Sequence, residues 1–149
     1  WHADQFYWPL SSDKCVTAWI PLQETPLEMG TLAFAAGSHK FEFGRDLPIS
    51  DESEHKINKA LNENNFEFVN EHFDLGEVSF HYGWTFHTAG INQTKNARKV
   101  MTVIYIDENM RLAEPKNNNQ VKDMNTWCPD VKVGEIINSE INPLLFTYQ

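Results

Sequence analysis

His2 and Asp4 stand two residues apart, and both carry side chains able to hold a divalent metal ion. On extended backbone that spacing puts both side chains on one face, about 6.6 Å apart along the chain, so both can converge on one ion. A third ligand must come from another strand. His87 is the best candidate, in a Trp84-Thr85-Phe86-His87 run that reads as a strand. Two imidazoles and one carboxylate on one side of an ion leave the opposite side open. That suits a non-haem iron(II) that takes up a cosubstrate and oxygen. His-x-Asp alone is common by chance. His81, inside another strand candidate, is a rival third ligand on composition. His39, His55 and His72 lie in polar surroundings and read as surface residues.

Arg98 adds a second function to this cluster. It follows His87 across a polar, turn-rich link (residues 90–96), which would let two antiparallel strands pair as a hairpin and aim the arginine into the same pocket. Guanidinium is a planar fork that binds a carboxylate through two hydrogen bonds. 2-Oxoglutarate asks for that arrangement, since one end chelates iron and the distal carboxylate needs a cation. Taken alone, Arg98 is an ordinary strand-end arginine. Taken with His-x-Asp and His87, it reads as the cosubstrate anchor.

These residues require short strands to position them, and the chain offers several, separated by turn residues. Strand-like runs span residues 15–22, 31–36, 66–70, 76–82 and 84–89, and the densest in β-branched residues is 98–107. The segment 42–65 is polar and charged. Within it, residues 52–64 suit a helix with Ile57, Ala60 and Leu61 on one face and Ser50 or Asp51 as cap. This helical excursion from an all-β domain is expected to cover the mouth of the site. Beyond Glu108 the chain is rich in Asn and Pro, and little regular structure is expected. Ile136, Ile137, Leu144, Leu145 and Phe146 are expected to pack back on the core.

The composition bounds the rest. The 149 residues suffice for one domain, with 41% hydrophobic and 13% aromatic residues, so the class is globular. The net charge of -9 argues against nucleic acid or an anionic membrane as partner. Cys15 and Cys128 fit no metal-binding spacing, and a reducing, cytoplasmic compartment is the simplest reading.

The sequence resembles the phytanoyl-CoA dioxygenase family of iron(II)/2-oxoglutarate oxygenases. The matching pieces are Trp1-His2-Ala3-Asp4-Gln5, the strand Ala18-Trp19-Ile20-Pro21-Leu22, and Glu28-Met29-Gly30-Thr31-Leu32 running on to Gly37-Ser38-His39. Leu75-Gly76-Glu77-Val78-Ser79-Phe80, then His87-Thr88-Ala89-Gly90-Ile91-Asn92, and finally Arg98 complete the pattern. The resemblance implies a double-stranded β-helix, a cupin-like jelly-roll barrel with iron near its mouth. It carries over His2, Asp4 and His87 as iron ligands and Arg98 as the 2-oxoglutarate anchor. It suggests Trp19 near the cosubstrate, a reading that competes evenly with a core tryptophan, and gives His39 a structural role. Relatives that halogenate have lost the carboxylate that Asp4 supplies, so its presence favours hydroxylation, with succinate and CO2 as coproducts.

The expected protein is therefore a dioxygenase acting on a small organic molecule with Fe(II), 2-oxoglutarate and O2. The alternatives are a non-catalytic jelly-roll fragment or binding module, and a cupin-type metalloenzyme that does not use 2-oxoglutarate. Residues 1–149 are expected to form a single domain that lacks an upstream segment. The consequences expected of that are a frayed first ligand, an incomplete metal site with low or no activity, and either self-association through an uncovered sheet edge or cover of the open face by the C-terminal tail.

Overall fold

The computed structural model describes residues 1–147. Among the described residues, six strands form two three-stranded antiparallel sheets: β1 (Cys15–Pro21), β2 (Leu32–Ala35), β3 (Phe68–Val69), β4 (Ser79–Tyr82), β5 (His87–Ala89) and β6 (Val100–Ile106). One sheet runs β4-β1-β6 and the other β3-β2-β5. Their inner faces meet: the ring of Phe34 on β2 lies 5.2 Å from that of His81 on β4. No helix among the described residues is long and apolar enough to cross a membrane.

Strands β5 and β6, consecutive in sequence, do not pair. β5 joins β2, with Phe34 opposite His87, whereas β6 runs along the whole of β1, from Cys15 opposite Ile106 to Pro21 opposite Val100. The expected hairpin between the strand of His87 and that of Arg98 is thus replaced by a crossing between sheets. The strand of His87 is also shorter than the 84–89 run suggests, because Thr85 N–H closes a turn onto Tyr82 C=O. Arg98 lies before β6, in the crossing link.

Alternation along β2 and β5 divides the apolar residues between two faces. Phe34 and His87 point inward, while Ala35 and the neighbouring Phe86 point outward into a core with Ala3, Ile57 and Leu61. Ile57 and Leu61 come from helix α1 (Asp51–Glu63). Ser50 caps it in a reciprocal box with Ser53, and Asp51, Glu52 and Glu54 complement the positive end of the helix dipole. The helix forms where the spacing of Ile57 and Leu61 predicts it, but it does not cover the mouth. It packs on the outer face of the β3-β2-β5 sheet, directly behind His87.

A second helix, α2 (Asn118–Trp127), forms in the segment expected to be loop. Asn117 caps it by accepting from Gln120 N–H. Met110, Leu112, Cys128 and Ile137 make a second core there. Of the C-terminal apolar residues only Ile137 is buried. Ile136 is exposed although it bridges Arg111, and Leu144, Leu145 and Phe146 are exposed because residues 143–147 form no regular structure that would hold them on a sheet.

Candidate metal centre

His2 is tied to the fold by a two-way backbone exchange with His87, His2 N–H to His87 C=O at 3.1 Å and His87 N–H to His2 C=O at 3.0 Å. The first segment is therefore held in place of the expected fraying. The pairing ends at His2. Ala3 is extended, with its side chain in the outer core, and Asp4 opens a 3-10 turn over Asp4–Tyr7. The His-x-Asp pair is thus one ladder residue and the first residue of a turn, not two residues of one strand.

This geometry gathers three donors. Asp4 Oδ1 lies 3.5 Å from His2 Nε2 and 3.4 Å from His87 Nε2. One ligand atom from each of the three residues lies within 4.8 Å of the other two. Ligands bonded to one ion at about 2.1 Å stand ~3 Å apart at right angles, so small side-chain adjustments suffice to close the set on a metal. The donor set, two neutral imidazoles and a carboxylate on one side, fits an iron(II) site with open positions.

The surroundings favour deprotonated ligand atoms. His87 Nδ1 lies 3.0 Å from the Thr85 carbonyl, and donating its proton there leaves Nε2 free to bind a metal. Burial works against ionisation of Asp4. The imidazoles of His2, His81 and His87 that crowd it more than offset this and hold the carboxyl well below its usual range. His87 is buried, while the side chains of His2 and Asp4 keep 28% and 23% exposure, so the cluster opens to one side.

His81, the rival ligand, is also here, but on the other oxygen. Its Nε2 lies 3.5 Å from Asp4 Oδ2. Thr17 Oγ1, on β1, donates to the same oxygen at 3.3 Å. Thr17 escaped the sequence reading. Its signal was the alternation of β1, which puts Thr17 and Trp19 on the site face.

Trp19 is buried and packs on Phe73, ring centroids 4.9 Å apart, as a core tryptophan does. Arg98 is half-buried and donates through Nη1 to the Gly30 carbonyl. No ion pair of Arg98 occurs among the described residues, so the rest of its fork stays available to a carboxylate. Gly30 has φ +74°, and a Cβ there would sit 2.2 Å from the Gly90 carbonyl oxygen, so only glycine allows this crossing. Ser38, fully buried, accepts from Phe86 N–H and fixes the residue before His87. His39 is half-buried, with its ring 5.0 Å from that of Tyr82, while His55 and His72 are exposed.

The model of the phytanoyl-CoA dioxygenase family matches residues 1–100. No curated protein matches the chain. Among solved structures, the non-heme alpha ketoglutarate dependent epimerase SnoN from nogalamycin biosynthesis is similar, with TM-score 0.74 and 25% identity over 98% of this chain and 56% of that one. The carbocyclase SnoK from the same biosynthesis gives 0.72 and 21% over 97% and 55%. EctD from S. alaskensis with bound Fe gives 0.61 and 21% over 77% and 41%. The chain spans about half the length of these proteins.

Proposed function

The chain belongs to the phytanoyl-CoA dioxygenase family, and we propose that it serves as an iron(II)- and 2-oxoglutarate-dependent oxygenase that hydroxylates a small organic substrate. The observation that carries this reading is the convergence of His2, Asp4 and His87 on one side of an accessible point between the sheets. In it, His2 Nε2, His87 Nε2 and Asp4 Oδ1 hold the iron. When bound, iron(II) with 2-oxoglutarate supplies the oxidant, and succinate and CO2 are coproducts.

The residues of the chain bind and orient. Thr85 fixes the His87 tautomer through its carbonyl. Arg98, steadied by one bond to Gly30, turns its remaining donors to the distal carboxylate of 2-oxoglutarate. Trp19 walls the same inner face. Helix α1, being behind the β3-β2-β5 sheet, contributes rigidity and not substrate specificity.

A second reading replaces hydroxylation by inversion at a carbon centre. The likeness to the epimerase SnoN, which extends over 98% of this chain, favours it. One assay separates the readings: succinate formed from 2-oxoglutarate under O2 is measured across a panel of small molecules, with mass analysis of the product. Hydroxylation adds one oxygen, and epimerisation leaves the mass unchanged. Absence of stimulated succinate release, with Fe(II) bound, would favour a non-catalytic or 2-oxoglutarate-independent jelly roll. Arg98→Ala is expected to weaken 2-oxoglutarate binding about 10- to 100-fold, as loss of a charge-assisted hydrogen bond does, and Arg98→Lys by less. Iron affinity stays unchanged in both. Unaltered cosubstrate affinity in Arg98→Ala assigns the anchor to another cation.

A further inference from the structure

The two oxygens of the Asp4 carboxylate face different company. Oδ1 looks toward His2 and His87. Oδ2 looks toward the Thr17 hydroxyl and His81 Nε2, at 3.3 and 3.5 Å. Thr17 and His81 are direct partners across the β1–β4 ladder, so the two donors are presented side by side by rigid backbone. Both are more than nine-tenths buried, at 2% and 6% exposure.

His81 is otherwise without an outlet. Neither of its ring nitrogens has a hydrogen-bond partner of normal geometry, and an unpaired buried polar group is costly to keep. The rings of Phe34 and His87 stand 5.2 and 4.8 Å from it and stop it swinging elsewhere. The neutral tautomer with its proton on Nε2 turns the contact with Oδ2 into a hydrogen bond after a shift of a few tenths of an ångström. No change of charge is needed.

We propose that Thr17 and His81 form a clamp on Asp4 Oδ2 that makes the carboxylate a one-toothed ligand. This rests on the metal centre proposed above and goes beyond it, since it gives the inner face of the β4-β1-β6 sheet a role at that site. A carboxylate free to turn would offer both oxygens to a cation and occupy a position that the bidentate 2-oxoglutarate needs. With Oδ2 held by two donors, only Oδ1 is presented. Thr17 and His81 are thus positioning residues, acting through Asp4.

Co(II) tests this without turnover, because its visible absorption reports coordination number and geometry. Thr17→Val and His81→Phe keep shape and remove the donors. Each is expected to weaken Co(II) binding about 10- to 100-fold, the usual effect of removing a partner of a metal ligand, and to shift the visible bands. Thr17→Ser and His81→Gln, which keep a donor, restore most of the affinity and the original spectrum. Because both residues act on one oxygen, the double variant Thr17→Val/His81→Phe loses less than the two single losses combined. Melting temperature separates misfolding from mispositioning, and the conservative Thr17→Val keeps the test open if His81→Phe does not fold. Unchanged Co(II) affinity and bands in both donor-less variants overturn the clamp and leave the metal centre standing. So does tight Co(II) binding in His87→Ala that His81→Phe abolishes, which makes His81 a ligand. If the unaltered chain binds no Co(II), the metal centre fails, and the clamp with it.

Discussion

Helix α1 buries Ile57 and Leu61 to 1% and 4% exposure and turns its charged residues to water, whereas α2 buries only Gln120 and leaves Val121 and Trp127 exposed at 41% and 61%. Both brace a segment that carries a proposed metal ligand. Helix α1 presses on Phe86 and Ala3, the outward neighbours of His87, His2 and Asp4. Helix α2 reaches the turn of Asp4 through a polar bond, Gln120 Nε2–H to the Phe6 carbonyl at 3.0 Å. Gln120 also accepts from Lys116 N–H, so one glutamine ties the helix start to the turn. The first brace is apolar and non-directional. The second is one directional contact whose loss leaves the buried Phe6 carbonyl without its partner. The site is thus held from behind and from its turn by two kinds of force.

The comparison can be broken most strongly at α1. Ile57→Ala removes fully buried methylenes behind His87 and is expected to cost about 2–5 kcal/mol in urea unfolding. A cost under about 1 kcal/mol would mean that α1 rides on the sheet without bracing it. At α2, Gln120→Ala is expected to cost about 1–3 kcal/mol, the cost of leaving the buried Phe6 carbonyl without its partner. Metal titration of the two variants sharpens the contrast. Gln120→Ala acts next to the Asp4 turn and is expected to weaken Co(II) binding more per kcal/mol of lost stability than Ile57→Ala does. Equal ratios would erase the distinction.

The smallest effect concerns the price of a poorly sealed helix. Burial pushes the Asp123 carboxyl up from 3.8 to about 6. A raised acid favours the folded state while protonated, so this contribution is complete below pH 3.8 and is lost as pH rises through about 6. Asp123→Asn removes the dependence. It is expected to stabilise the protein by on the order of 1 kcal/mol at pH 7, a value reduced for partial solvent access, and to change nothing near pH 3.5. Thermal melts across that range check the sign, and a stabilisation largest at acid pH would contradict it.

The two helices also show what a sequence can display. Helix α1 announces itself through Ile57 and Leu61 four positions apart, with Ser50 before them, because an apolar stripe and a cap are local patterns. Helix α2 has no such stripe, since its Val121 and Trp127 are exposed and it is held by Met124 on the second core and by the bond of Gln120 to the distant Phe6, and Asn117-Asn118-Asn119 read as loop. The six strands likewise lie where β-branched and aromatic runs place them, but their edges are trimmed by turns such as Tyr82–Thr85.

By itself the sequence displayed which residue types were on offer: His2, Asp4 and His87 as candidate ligands with His81 as a rival, Arg98 as a candidate anchor, strands to carry them and a capped helix near 51–63. These are properties of residue types and of periods two and 3.6, and they need no partner elsewhere in the chain. The tertiary structure alone decided the rest. It put β5 and β6 in different sheets, set α1 behind the site instead of over it, and brought Thr17 and His81 to the second oxygen of Asp4. Those outcomes depend on which strand pairs with which and on which face of a sheet another element buries. Such choices are settled by contacts between residues distant in sequence, and no local pattern encodes them.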